Sequence, residues 1–135
     1  MPLLVDQQRT AALQALYVAD PAVFVWWGTE IECVSAVSRL ERSGDLTAAA
    51  ATTAFARLDA LAGFWNEIDP LRSIRGTARR ILRVHDLRAT DALQLSAALI
   101  ASENQPAFLE FVSLDRRLAA AADREGLRVV DVPAS

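Results

Sequence analysis

The chain has 135 residues, of which 53% are hydrophobic, and its formal net charge is −3. This length predicts one domain, residues 1–135, that can bury a core without a disulfide or a structural zinc ion. The negative charge argues against a globally basic nucleic-acid binder. Cys33 and His85 each stand alone in their residue type, which excludes an internal disulfide and argues against a Cys/His zinc cluster.

No segment of the sequence has the features of a membrane span or a secretory signal. No hydrophobic run approaches the roughly 20 residues that a span needs, and the N-terminus has neither a positive flank nor a cleavage site. We therefore expect a cytoplasmic protein that does not enter a membrane. All 14 basic residues are arginine, which indicates either a GC-rich coding sequence or phosphate recognition by planar guanidinium groups.

The first part of the chain alternates helical and strand patterns. Gln7–Ala19 has helical periodicity and ends before Pro21. Val23–Trp27 is a continuous β-branched and aromatic run, typical of a strand buried on both faces. The next helix is predicted over Glu30–Ser43, with Gly44 as its C-terminal glycine.

The alternation continues through the middle of the chain. Asp45 or Thr47 caps a helix that runs to about Ala62, and Phe64–Asp69 is predicted as a short strand. Ile74–Val84 is the next helix, and a turn separates it from the segment that begins at Arg88.

The segment after Asp91 is apolar on almost every side, which predicts a buried helix to about Glu103. A strand over Phe108–Leu114, a helix over Arg116–Glu125 and a last strand over Arg128–Val132 complete the pattern. Strands alternating with long helices favour an α/β fold with a parallel sheet.

Three carboxylates occupy equivalent places in this pattern. Glu32 lies in the first turn after the Val23–Trp27 strand, Asp91 opens the buried helix, and Asp115 follows the Phe108–Leu114 strand. Ligands of parallel α/β sheets gather at the carboxyl ends of the strands. Such acids stay ionised together only with a compensating cation, and oxygen ligands select Mg²⁺ or Mn²⁺. Each acid is alternatively a helix cap or a partner of a helix dipole.

Three stretches of the chain together resemble the PIN-domain family, and within it the VapC-type toxin ribonucleases. The stretches are residues 27–41, 87–95 and 111–118, and their order and spacing also match. The resemblance implies a PIN-like three-layer fold, with a parallel sheet flanked by helices. It identifies Glu32, Asp91 and Asp115 as catalytic, metal-binding acids. Gln94 stands where the family commonly has histidine, a position outside the metal ligands.

The resemblance also implies a function. The expected activity is Mg²⁺-dependent (or Mn²⁺-dependent) hydrolysis of RNA phosphodiester bonds by the toxin of a type II toxin–antitoxin pair. The expected partners are an RNA substrate, a cognate antitoxin protein and a second copy in a homodimer. The alternative is a catalytically degenerate PIN-like module that binds an antitoxin or RNA without cleaving it.

The family's first acid has two possible places in this chain. Either Leu3–Val5 is the central strand and Asp6 is the first metal ligand, or the chain starts after that strand. Only 16 residues separate Asp6 from Val23, where the family has two short helices. The spacing therefore favours the late start, and a chain without the first acid is expected to bind Mg²⁺ weakly.

Arginines outside these motifs have two interpretations. Arg75, Arg79, Arg80 and Arg83 line one part of a helix and are either a nucleic-acid groove or partners of acids. The Arg116–Arg117 pair is either a phosphate clamp or a solvated helix face.

Overall fold

The structure is a computed structural model and describes residues 23–102, 109–113 and 115–130. Within this part of the chain, five helices and four short strands form a mixed α/β protein. The chain divides into two compact units, with the boundary between Glu67 and Ile68. A single domain over residues 1–135 stays a prediction. The predicted helix Gln7–Ala19 and the candidate ligand Asp6 lie outside the described residues.

The first unit contains two helices joined by a short loop. Strand β1 (Phe24–Trp26) precedes helix α1 (Thr29–Arg42), which is followed by helix α2 (Ala48–Ala62) and strand β2 (Asn66–Ile68). Strands β1 and β2 form a two-stranded sheet. Both helices lie within a residue or two of their predicted bounds.

Local signals fix the ends of these helices. Gly44 has a φ of +84°, a left-handed conformation that glycine adopts without steric cost, and it follows the last turn of α1 as predicted. The hydroxyl of Thr47 accepts a hydrogen bond from the Ala50 N–H at 3.1 Å. Thr47, rather than Asp45, is therefore the N-terminal cap of α2.

The core of this unit is small and rich in alanine. Its buried members are Val37, Ala51, Ala54 and Leu58. The expected full burial of the Val23–Trp27 strand is wrong, because Phe24 and Trp27 are 57% and 56% exposed. Strand β1 has three residues and pairs with β2 alone in the described part of the chain, and of its own residues Val25 and Trp26 are half-buried while Phe24 is exposed.

The second unit is built around the buried helix. Helix α3 (Arg72–Val84) packs on helix α4 (Ala89–Ala101), and helix α5 (Arg116–Arg124) packs on α4 as well. Strands β3 (Glu110–Phe111) and β4 (Arg128–Val129) pair in parallel, as predicted. Six residues of α4 are buried, which confirms the prediction of a buried helix.

The core of the second unit joins all of these elements. Its members are Ala78, Ile81, Ala92, Leu95, Ala98, Leu99, Phe111, Leu118, Ala121, Ala122 and Leu127. The described strands form two separate two-stranded sheets. The mixed α/β content is thus established for the described residues, whereas one parallel sheet between helical layers stays a prediction. None of the helices in the described ranges is long and apolar enough to cross a membrane.

Candidate metal centre

Asp91 lies in the first turn of α4, three residues after Arg88, which precedes the helix and contributes no side-chain cap. The half-buried Asp91 carboxyl has a raised pKa. Burial is the main cause, and the negative charge of Asp115 raises it further. A hydrogen bond from the Arg88 backbone and the Arg88 charge oppose these effects. Asp91 therefore partly caps its helix, and a second carboxylate affects its ionisation.

Asp115 is the N-terminal cap of α5. Its Oδ1 atom accepts the backbone N–H of Arg117 at 2.9 Å and that of Leu118 at 3.3 Å. The Asp115 N–H in turn donates to the Ser113 hydroxyl at 3.1 Å, which fixes the turn before the helix. Oδ2 has no hydrogen-bond partner among the described residues, so the capping role leaves one carboxylate oxygen available.

Packing in the second unit brings Asp91 and Asp115 together. The two acids belong to the N-terminal ends of different helices, and α5 packs on α4. The charge of Asp115 disfavours ionisation of Asp91, which means that the carboxylates are close enough to repel each other. A cation between such groups relieves this repulsion, and two carboxylates are hard oxygen ligands suited to Mg²⁺ or Mn²⁺.

A further acid lies at the same end of the second unit. Asp86, in the loop between α3 and α4, has its Oδ2 atom 3.5 Å from Nη1 of Arg117. Both side chains are highly exposed, at 92% and 76%, so the ion pair is screened and contributes little stability. Sequence reasoning did not single out Asp86, because nothing in its spacing distinguishes it from an ordinary loop acid.

Glu32 belongs to the first unit, in the first turn of α1. Its carboxylate accepts a long hydrogen bond, 3.5 Å, from Nε1 of Trp26. The Trp26 ring also covers Gly28, where an added Cβ would lie only 2.6 Å from Nε1. Glu32 is half-buried, whereas Glu30, the alternative acid of this turn, is exposed. The indole therefore orients Glu32 and not Glu30.

The three predicted metal ligands do not form one observed cluster. No group of three or more His, Cys, Asp and Glu side chains within the described ranges is placed to hold a metal ion. Asp91 and Asp115 are brought together in the second unit, and Glu32 lies in the first. A site with all three acids stays a prediction.

Two described residues of types that often take part in catalysis, Cys33 and His85, are poorly suited to attack a substrate. Burial raises the pKa of the Cys33 thiol, and Glu32 and Glu30 add to the shift, so the reactive thiolate is disfavoured. His85 is buried, and its Nε2 atom is 2.8 Å from Glu125, which also binds Arg80. This partly buried cluster joins residues up to 45 positions apart, and the sequence analysis did not predict it.

Comparisons with protein-family models, curated proteins and solved structures found no match to this chain.

Proposed function

We propose that the chain is a metal-dependent ribonuclease with a PIN-like fold, the toxin of a type II toxin–antitoxin pair. The observation that carries the proposal is the placement of Asp91 and Asp115 at the N-terminal ends of two packed helices, and the raised pKa of Asp91 agrees with it. These acids fall in two of the three stretches on which the PIN-domain resemblance rests. Glu32 falls in the remaining one and is proposed as the third acid.

The donor set fits Mg²⁺ or Mn²⁺. Asp115 has a free Oδ2 atom within the described part of the chain, and the charge of Arg88 does not fully offset the effects that raise the pKa of Asp91. A divalent ion held by Asp91 and Asp115 would activate water and offset negative charge on an attacked phosphodiester. The chain's own contribution is to fix both carboxylates on rigid helix ends, with Ser113 holding the turn before Asp115.

The remaining parts of the proposal follow from the resemblance alone. The substrate would be RNA, and the regulator would be an antitoxin protein that covers the acidic site. A homodimer in the cytoplasm completes this proposal.

The rival function is a PIN-like module that binds an antitoxin or RNA and does not cut. Its supporting observation is that no three-acid cluster forms among the described residues. A site with only two acids would hold a divalent ion weakly.

The test is cleavage of a labelled RNA by the purified chain with Mg²⁺ or Mn²⁺, with and without EDTA. Asp91→Asn is expected to abolish cleavage. The matched control is Asp123→Asn, which removes one exposed carboxylate from α5 and leaves activity unchanged. EDTA-resistant cleavage, or equal activity in Asp91→Asn, would overturn the proposal. RNA or antitoxin binding without any cleavage would establish the rival.

A further inference from the structure

The solvent face of α3 carries a row of positive charges. Its members, all exposed, are Arg72, Arg75, Arg79 and Arg83. Their spacings of three, four and four residues place them on one face. The buried residues of the helix, Ile74, Ala78 and Ile81, occupy the opposite face. We call the four arginines the arginine row.

The four arginines of the row make no polar contact that would stabilise the fold of the described residues. Arg80, which lies beside it, binds Glu125 through its two terminal guanidinium nitrogens, Nη1 and Nη2. The four members of the row form no hydrogen bond or ion pair with any residue that the structure describes. Helix α3 contains no acid, and like charges three or four residues apart destabilise a helix. Arg72 and Arg75 also lie near the positive end of the helix dipole.

A glycine interrupts the middle of the row. Gly76 lies four residues after Arg72 and three before Arg79, so it shares their face. A Cβ added at Gly76 would meet no atom within 4 Å, which means that packing does not require glycine here. Glycine in a helix interior lowers stability relative to alanine. Its effect is a patch of bare backbone between guanidinium groups, which permits close approach of a ligand.

We propose that the arginine row binds the phosphate backbone of single-stranded RNA, with one strand lying across Gly76. The inference deepens the proposed function. It rests on that function only where it takes the bound RNA strand to be the substrate. The row ends at Arg83, in the last turn of α3, and the following loop leads to Asp91 at the start of α4.

The shape and chemistry of the face favour RNA over an acidic protein segment. Arg83 is eleven positions after Arg72, which corresponds to about 16 Å along the helix at about 1.5 Å per residue. Guanidinium groups bind phosphate in a bidentate manner, and a row of them matches the regular charge of a nucleic-acid backbone. Interfaces with proteins usually have an apolar centre, whereas the centre of this face is arginine and glycine.

The test is RNA binding in EDTA, where metal-dependent cleavage cannot occur. The probe is a fluorescent single-stranded RNA of about 12 nucleotides, within the usual range of site sizes. Four phosphate contacts predict that raising salt from about 50 to about 200 mM weakens binding about 50-fold. The double variant Arg75→Gln/Arg79→Gln, with two contacts left, is expected to lose only about sevenfold over the same range.

The matched control is Arg39→Gln/Arg42→Gln, which removes two exposed arginines from α1 and keeps the salt dependence of the wild type. A second variant, Gly76→Ala, is expected to raise the melting temperature and to weaken RNA binding several-fold. It separates binding from folding, because the two effects have opposite signs.

Three results would overturn the inference. These are equal losses in the two double variants, an unchanged affinity in Gly76→Ala, and a poly-glutamate peptide that binds the row as tightly as RNA. The last result would assign the row to an acidic protein partner. A chain that binds RNA through these arginines and cuts nothing refutes the proposed function alone. If the chain cleaves RNA, but Arg75→Gln/Arg79→Gln leaves the salt dependence of RNA binding unchanged, this inference is refuted and the proposed function is not.

Discussion

The Nε2 atom of His85 lies 2.8 Å from Oε2 of Glu125, which joins the residue that caps the C-terminal end of α3 to the residue that caps the C-terminal end of α5. A carboxylate only accepts hydrogen bonds, so Nε2 carries the proton in this pair. Arg80 completes the cluster with Nη2 at 2.7 Å from Oε1 and Nη1 at 3.2 Å from Oε2. The Glu125 side chain is only 13% exposed, so these contacts are partly shielded from water.

Glu125→Gln is expected to lower the free energy of unfolding by about 1–2 kcal/mol at neutral pH, because it removes a charge-assisted pair that is half-exposed on the arginine side. The Arg80 hydrogen bond, chiefly, and then that of His85 lower the pKa of Glu125, against an opposing effect of burial. The folded state thus holds this proton less tightly than the unfolded chain.

The stabilisation by Glu125 is therefore complete above the ordinary glutamate pKa of about 4.3 and is lost as the pH falls through the lower folded value. Urea unfolding at several pH values checks this, since the difference between wild type and Glu125→Gln should shrink on acidification. Asp123→Asn, on the exposed side of α5, is the control. A difference that grows at low pH would contradict the prediction.

Ser96→Ala is expected to raise the free energy of unfolding by about 1 kcal/mol. Ser96 is fully buried, and its hydroxyl has no hydrogen-bond partner in the described part of the chain. An unpaired buried hydroxyl costs about 1–3 kcal/mol, and alanine removes that cost. Ser102→Ala is the comparison and should be destabilising, because the Ser102 hydroxyl donates to the Leu99 carbonyl at 2.7 Å. Destabilisation by Ser96→Ala would show that its hydroxyl has a partner.

Gly28→Ala is expected to cost about 1–3 kcal/mol, the usual range for overpacking. An added Cβ would lie 2.6–2.7 Å from three atoms of the Trp26 ring, so the indole must move and its contact with Glu32 is lost. Thermal unfolding measures the cost. Gly76→Ala is the matched glycine substitution in open space and should instead stabilise. Equal melting temperatures for wild type and Gly28→Ala would mean that the ring moves without cost.

Asp91→Asn is expected to raise the melting temperature when metal is absent. The raised pKa of Asp91 means that the folded protein disfavours the ionised form relative to the unfolded chain, and asparagine removes the charge while keeping an oxygen for the Arg88 N–H. With Mg²⁺ present, the wild type should instead have the higher melting temperature. At about 100 times its dissociation constant, an ion stabilises the wild type by about 2.7 kcal/mol, and Asp91→Asn gains little. An unchanged wild-type melting temperature with Mg²⁺ would contradict a metal site here.

Helices were predictable because their signals are local. The C-terminal glycine, Gly44, and the capping hydroxyl of Thr47 act within four residues of the groups they serve, and the apolar pattern of α4 reports its burial directly. Strands were less predictable. Phe108–Leu114 reads as a seven-residue strand, yet of its described residues only Glu110–Phe111 pair with β4, because pairing depends on a segment far away in sequence.

In the candidate site, too, local features were predictable and contacts between distant segments were not. The sequence indicates that Asp115 is a helix cap, and the structure confirms it. The approach of Asp115 to Asp91 depends on how α5 packs on α4, which no local pattern encodes. The sequence gives no sign that His85 pairs with Glu125, because the two residues are 40 positions apart.

The structural role of Asp115 depends on one of its two carboxylate oxygens, and this has an evolutionary consequence. One oxygen holds the first turn of α5, and that need persists in any descendant that must fold, whether or not it retains a catalytic activity. An aspartate at this position in a related chain is thus poor evidence of an active nuclease.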